Sequence, residues 1–142
     1  MSGFPDWLVP MAATLTQERF TGPEWSFERK FDGIRLLAFR QGPDVHLLSR
    51  NRLPQNCPPI AEAIANLPLR EMILDGEVTW GKEGVVYHVF DLLWLDGRDV
   101  TLLSLDERRA LLDTVNFRVP LQRVVPLADP EPWKRACIEG WE

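Results

Sequence analysis

"ERKFDGIRLLAFRQGPDVHLLSR", Glu28 to Arg50, decides how this chain is read. "GIRLLAFR" and "VHLLSR" are apolar-rich runs, and "QGPD" at 41–44 is a turn by composition. Two such runs around a short turn predict a β-hairpin over residues 33–50. "WSFERK", residues 25–30, reads as a further strand, which makes Lys30–Gly33 a bend between strands. Lys30 is one of only three lysines among the 16 lysines and arginines, with Lys82 and Lys134. A scarce lysine, ringed by charge at a bend between apolar strands, asks for a chemical reason.

Outward from the hairpin, "CPPIAEAIANL" has early prolines and apolar residues at helical spacing, at Ile60, Ala63, Ile64 and Leu67. "EMILDGEVTW" and "VVYHVFDLLWL" read as strands joined by the turn "GKEG". "EGVV", Glu83–Val86, is the end of that turn and the start of the second strand. "DGRD" is a turn. "SLDERRALLDTV" is the clearest helix: Ser104 and Glu107 have the capping-box spacing, and apolar and charged stripes follow. "LQRVVPL" reads as a short strand, and "DPEPWKRACIEGWE" as a helix. Residues 1–24 form a lead-in with no steady periodicity, in which "TQERF" is expected to make one helical turn. The whole predicts an α+β domain with a largely antiparallel sheet flanked by helices, because hairpin turns are frequent and a βαβ rhythm is absent.

The 142 residues make one domain's worth of chain, 45% hydrophobic and 26% charged. A net charge of −5 argues against a protein that grips nucleic acid by bulk charge, though not against local phosphate binding. Cys57 and Cys137 match no metal spacing and read as free thiols. No signal peptide or membrane span is legible. A cytoplasmic protein is expected. His46 and His88 are expected to be plain strand residues, and the six tryptophans to serve packing.

A lysine amine attacks only when neutral, and an unperturbed pKa of about 10.4 leaves about one in a thousand neutral near pH 7.4. Bringing the pKa to about 7.4 takes roughly 4 kcal/mol. Desolvation and nearby cations supply such shifts. Arg35, Arg50 or a metal ion are the candidate cations. Gly33 allows a turn or the close approach of another group. Asp32 can accept hydrogen bonds from the turn or from a ligand. Asp-Gly is also a common surface turn, so "KFDG" alone decides nothing.

Four motifs in order change the balance. "ERKFDGIR", "LLSRN" (Leu47–Asn51), "ILDGEV" (Ile73–Val78) and "VFDLLWLDG" (Val89–Gly97) resemble the successive motifs of ATP-dependent DNA ligases. These are covalent nucleotidyltransferases, a group that includes RNA ligases and mRNA-capping enzymes. The resemblance runs from about residue 25 to the C-terminus. It implies a partial, ATP-grasp-like nucleotidyltransferase (adenylation) domain over residues 25–142. Lys30 would attack the α-phosphate of ATP and become lysyl-AMP. Arg35 and Arg50 would contact the ribose, its phosphate or the 5′-phosphate of nicked DNA. Glu77 would bind the ribose or help hold Mg²⁺ (or Mn²⁺). Phe90 would stack on the adenine. Glu28 and Arg29 would frame the adenine pocket, and Asp32 and Gly33 would line the nucleotide site. "SLDERRALL" favours the bacterial DNA-repair type.

"GWE", Gly140–Glu142, resembles the start of the family's later metal motif, which makes Glu142 a second candidate metal ligand. The lysine motifs and OB-fold domain that follow in the family have no counterpart in this sequence. A downstream polypeptide supplying them is the expected partner beside nicked DNA, and the chain alone is expected to adenylylate weakly or not at all. The alternatives are a non-catalytic ATP-binding fragment and an RNA ligase or capping-type enzyme.

Overall fold

The computed structural model describes residues 3–141. Its centre is a six-stranded sheet. Strands β1 (Ile34–Gln41) and β2 (Asp44–Ser49) form the first hairpin, and β3 (Glu71–Gly81) and β4 (Gly84–Leu95) the second. β5 (Arg98–Asp99) folds back on the end of β4. The order is β2-β1-β3-β4-β5, all antiparallel. β6 (Leu121–Arg123) pairs in parallel with Tyr87–Val89 of β4. Helix α2 (Leu105–Asp113) lies between these two strands in the chain, so the single parallel pair has a helical crossover.

Each side of the sheet has its own core. On one side Leu36, Ala38, Met72, Leu74, Tyr87, Val89 and Leu92 pack with Ile60 and Ile64 of α1 (Pro58–Ala65) and Leu112 of α2. Ile60 and Ile64 are four apart on one helical face and fully buried, each contributing about 1.5–3 kcal/mol. Arg40 donates to the carbonyls of Ile64 (2.8 Å) and Leu67 (2.5 Å), a cation at the negative end of α1. On the other side Leu37, Phe39, Ile73 and Trp94 are covered by Phe4, Trp7 and Leu8.

Several stretches differ from expectation: Arg98–Asp99 of the turn "DGRD" pair as β5, and the strand expected over "LQRVVPL" ends at Arg123. Residues 25–30 form no strand. The Phe27 carbonyl accepts from Leu127 N (2.7 Å), and the flanking charges are taken up by tertiary partners described below. "TQERF" is not helical; Thr16 Oγ1 accepts from the Glu18 amide, a local turn that competes with a helix. The capping of α2 is as read, with Ser104 Oγ accepting from Glu107 N. The Glu107 carboxylate accepts from the Ser104 hydroxyl (3.0 Å). Helix α3 (Pro132–Glu139) begins at proline and ends at Gly140 in the left-handed conformation.

Candidate active site

Lys30 sits on the irregular segment leading into β1, at the mouth of a cleft of about 580 Å³. The cleft is lined by Arg29, Lys30, Phe31 and Asp32 on one side and by the β3–β4 hairpin from Thr79 to Gly84 on the other. Val86, His88, Gln122, Gly140 and Trp141 complete it. Lys30 Nζ lies 3.2 Å from Asp32 Oδ1, and both side chains are largely exposed. Among the candidate residues, this cleft unites Arg29, Lys30 and Asp32.

The segment carrying Lys30 is held at several points. The Phe31 ring stacks on His88 at 3.8 Å. The Arg29 guanidinium lies between the rings of Phe31 and Trp141, at 4.7 and 5.0 Å. The Gly33 amide donates to Glu77 Oε2 (3.2 Å). A Cβ at Gly33 would collide with the backbone carbonyl of Val78, so close approach, not an unusual φ, is what the position demands.

Next to this tie lies an ion pair on the sheet. Arg35 donates from Nε to Asp75 Oδ1 (3.0 Å) and from Nη2 to Asp75 Oδ2 (2.5 Å). Its Nη1 reaches the carbonyl of Met11 (2.5 Å). The Asp75 side chain is 4% exposed, and burial pushes its pKa up against the pull of Arg35. Phe90 lies 5.5 Å from the Arg35 guanidinium. It is one of two residues skipped by the pairing of β3 with β4, the other being Leu93, since Gly76 faces Val89 and Asp75 faces Asp91. Phe90 therefore occupies a β-bulge, a device that re-aims a side chain.

Arg35, Glu77 and Phe90 thus come together beside the lysine segment. Arg50 does not join the cleft lining; it is exposed in the turn after β2, where Ser49 Oγ accepts from the Asn51 and Leu53 amides. Glu28 faces Arg109 and a smaller cavity of about 300 Å³ that shares Arg29 and Trp141 with the cleft. Glu142 lies outside the described residues. Sequence reasoning passed over Asp75, although it stands in "LDGE" two residues before Glu77. No local pattern pairs it with Arg35, forty residues away in the chain.

His88 was also passed over. It is 7% exposed; its Nε2 is 2.8 Å from Thr79 Oγ1, and its Nδ1 has no partner among the described residues. Burial, then the charge of Arg29, lowers its pKa from 6.5. Its neutral form is favoured by folding, so this contribution is present above pH 6.5 and is lost as pH falls through the lowered value. His88→Gln is expected to flatten the loss of stability between neutral and mildly acidic pH. Urea unfolding across that range checks it, and an unchanged slope would sink it.

A family model described as "ATP dependent DNA ligase domain" matches residues 10–84. The multifunctional non-homologous end joining protein LigD of Pseudomonas aeruginosa is 33% identical over 132 residues, covering 78% of this chain and 16% of that protein. A probable DNA ligase of Saccharopolyspora erythraea is 32% identical over 139 residues, covering 80% of this chain and 27% of the relative. The crystal structure of the ligase domain of M. tuberculosis LigD superposes with a TM-score of 0.63 at 26% identity, covering 83% of this chain and 45% of that one. A mycobacterial DNA ligase D complexed with ATP and MES gives the same TM-score, covering 46% of that chain. This chain therefore spans about a quarter or less of the length of these two curated relatives. No helix among the described residues is long and apolar enough to cross a membrane.

Proposed function

Because the chain belongs to the ATP-dependent DNA ligase family, we propose that Lys30 is the nucleophile that takes an adenylyl group from ATP, for transfer to the 5′-phosphate of a DNA nick in repair. The observation that carries this reading is the placement of Lys30 at a cleft mouth, with the segment tied through Gly33 to Glu77 beside Arg35 and Phe90.

In this reaction the neutral Lys30 amine attacks the α-phosphorus. A P–N bond forms, the P–O bond to pyrophosphate breaks, and the amine proton leaves to solvent. Arg35 keeps two N–H groups beyond those given to Asp75 and Met11, and they can donate to a phosphate or ribose oxygen. Phe90 offers an aromatic face to the purine. Arg29, clamped between two rings, adds fixed positive charge at the cleft wall, where it stabilises charge developing on phosphate oxygens.

A magnesium ion bound with the nucleotide would neutralise phosphate charge. Glu77 is the carboxylate that would help hold it, one oxygen being taken by the Gly33 amide. No group of three potential metal-ligating side chains converges among the described residues. Such an ion would take most of its ligands from phosphate and water, as Mg²⁺ commonly does.

The test is the intact mass of the chain, supplied with a downstream polypeptide that carries the lysine motifs and the OB fold, after incubation with ATP and Mg²⁺. The expected result is a gain of one adenylyl group, absent in Lys30→Ala. ATP binding without any adduct would replace this reading with a non-catalytic nucleotide-binding one.

A further inference from the structure

Two adjacent arginines of α2 grip two different parts of the site. Arg108 holds Asp91 through Nε (2.7 Å) and Nη2 (3.2 Å), and Asp91 directly follows the bulged Phe90. Arg109 donates from Nη1 to Ser26 Oγ (2.8 Å) and places Nη2 at 3.4 Å from Glu28 Oε1. Consecutive helical residues point about 100° apart, so one helix can reach a strand and a loop at once. The Arg109 side chain is 13% exposed and the Glu28 side chain 30%. Burial raises the Glu28 pKa, and Arg109 opposes that rise.

We infer that Arg109 is a positioning residue: it docks the segment Ser26–Glu28 onto α2 and so sets where Lys30 stands relative to Phe90. Its functional half rests on the reading of Lys30 as nucleophile. The geometry is economical. The segment 25–33 has no ladder of its own, and its backbone tie at this end is Phe27 O to Leu127 N. Without Arg109, Glu28 is a half-buried carboxylate left with only the weaker pull of Arg123, and its escape to water would lift the segment. Lysine cannot replace the arginine fully, because a single ammonium lacks the fork that spans Ser26 and Glu28 together.

The experiment measures amide exchange by NMR in the full chain and in Arg109→Gln and Arg109→Lys, alongside the rate of lysyl-AMP formation with the downstream polypeptide present. The Leu127 amide reports docking of the segment. The Val124 amide, bonded to Val89 O, reports the sheet. In Arg109→Gln, Leu127 exchange is expected to accelerate about tenfold relative to Val124, the worth of one charged hydrogen bond. Adenylyl transfer is expected to slow about 100-fold, as for a reacting group misplaced by an ångström. Arg109→Lys should fall between the two. Equal acceleration of both amides, or of neither, overturns the docking role. An unchanged adenylylation rate with Leu127 accelerated overturns the link to Lys30. If the wild-type chain forms no adduct, the nucleophile reading fails together with that link, and the exchange ratio still decides the docking.

Discussion

Arg35→Ala is expected to destabilise the chain by about 3–5 kcal/mol, the cost of leaving one member of a buried ion pair alone. The Asp75 carboxylate that it would strand is buried, and a second carboxylate, Asp91, also acts on it. The loss reaches further than the pair, because Arg35 also holds the Met11 carbonyl and hence the lead-in segment that covers the outer core. Urea unfolding reads the effect directly. Replacing both partners by apolar residues, Arg35→Met with Asp75→Leu, should recover much of the loss, since no buried charge then remains. A double variant as unstable as the sum of the singles would show that the ion pair is not the cause.

The pH dependence follows from the same group. Burial holds the folded-state pKa of Asp75 above its ordinary value of 3.8, and removing Arg35 takes away the main opposing influence. A carboxyl with a raised folded pKa contributes stability that is fully present below its unfolded pKa and is lost as pH rises through the folded one. The defect of Arg35→Ala should therefore shrink in mild acid, where Asp75 takes up a proton, and reach its full size at neutral pH.

Gly76→Ala is the second large effect. Gly76 lies mid-sheet in β3, and a Cβ there would overlap the His88 carbonyl and stand 2.7 Å from Tyr87 Cε1. Neither neighbour can retreat. The Tyr87 ring is fully buried with its hydroxyl bonded to Leu36 O at 2.7 Å, and the His88 carbonyl belongs to the facing strand. Overpacking of this kind costs about 1–3 kcal/mol and more where backbone must move. A fall of the thermal midpoint by about 10 °C is expected, at about 2–4 °C per kcal/mol for a chain of this size. Gly81→Ala is the control, because nothing lies within 4 Å of a Cβ there. Equal midpoints for the two variants would refute the steric account.

The hairpins, α1, α2 and α3 were legible because local signals and tertiary demands agree in them. Gly-Pro and Lys-Glu turns separate apolar runs, and proline or serine stands where each helix begins. Residues 25–30 misled because alternation of apolar and charged side chains looks alike in a strand and in a loop whose charges are claimed elsewhere. Here Glu28 goes to Arg109 and Arg29 to two aromatic rings, contacts that no local pattern announces. The lead-in looked featureless, yet Phe4 and Trp7 pack against Phe39 at 6.4 and 6.1 Å and close the outer core. Lys30, Glu77, Arg35 and Phe90 were named in advance through motif resemblance. Asp75 and the arginines of α2 were not given roles, since those depend on partners tens of residues away. The bulges escaped because "VVYHVFDLLWL" is apolar almost throughout, which hides the change of phase.

The bulge at Phe90 separates two kinds of heritable change. Every neighbour of Phe90 in β4 has a partner in β3: Val89 with Gly76, Asp91 with Asp75, Leu92 with Leu74. Phe90 has none in that ladder, so a deletion of this codon would bring the flanking pairs into ordinary succession without shifting the rest of the strand. An insertion or deletion at most other points of a strand reverses which face each later residue occupies. Along β4, then, position 90 is a site where chain length can change while the sheet stays in step. A lineage that lost the residue would keep the ladder of β3 with β4 and lose the aromatic ring beside Arg35, leaving a shortened strand as the only trace in an alignment of lengths.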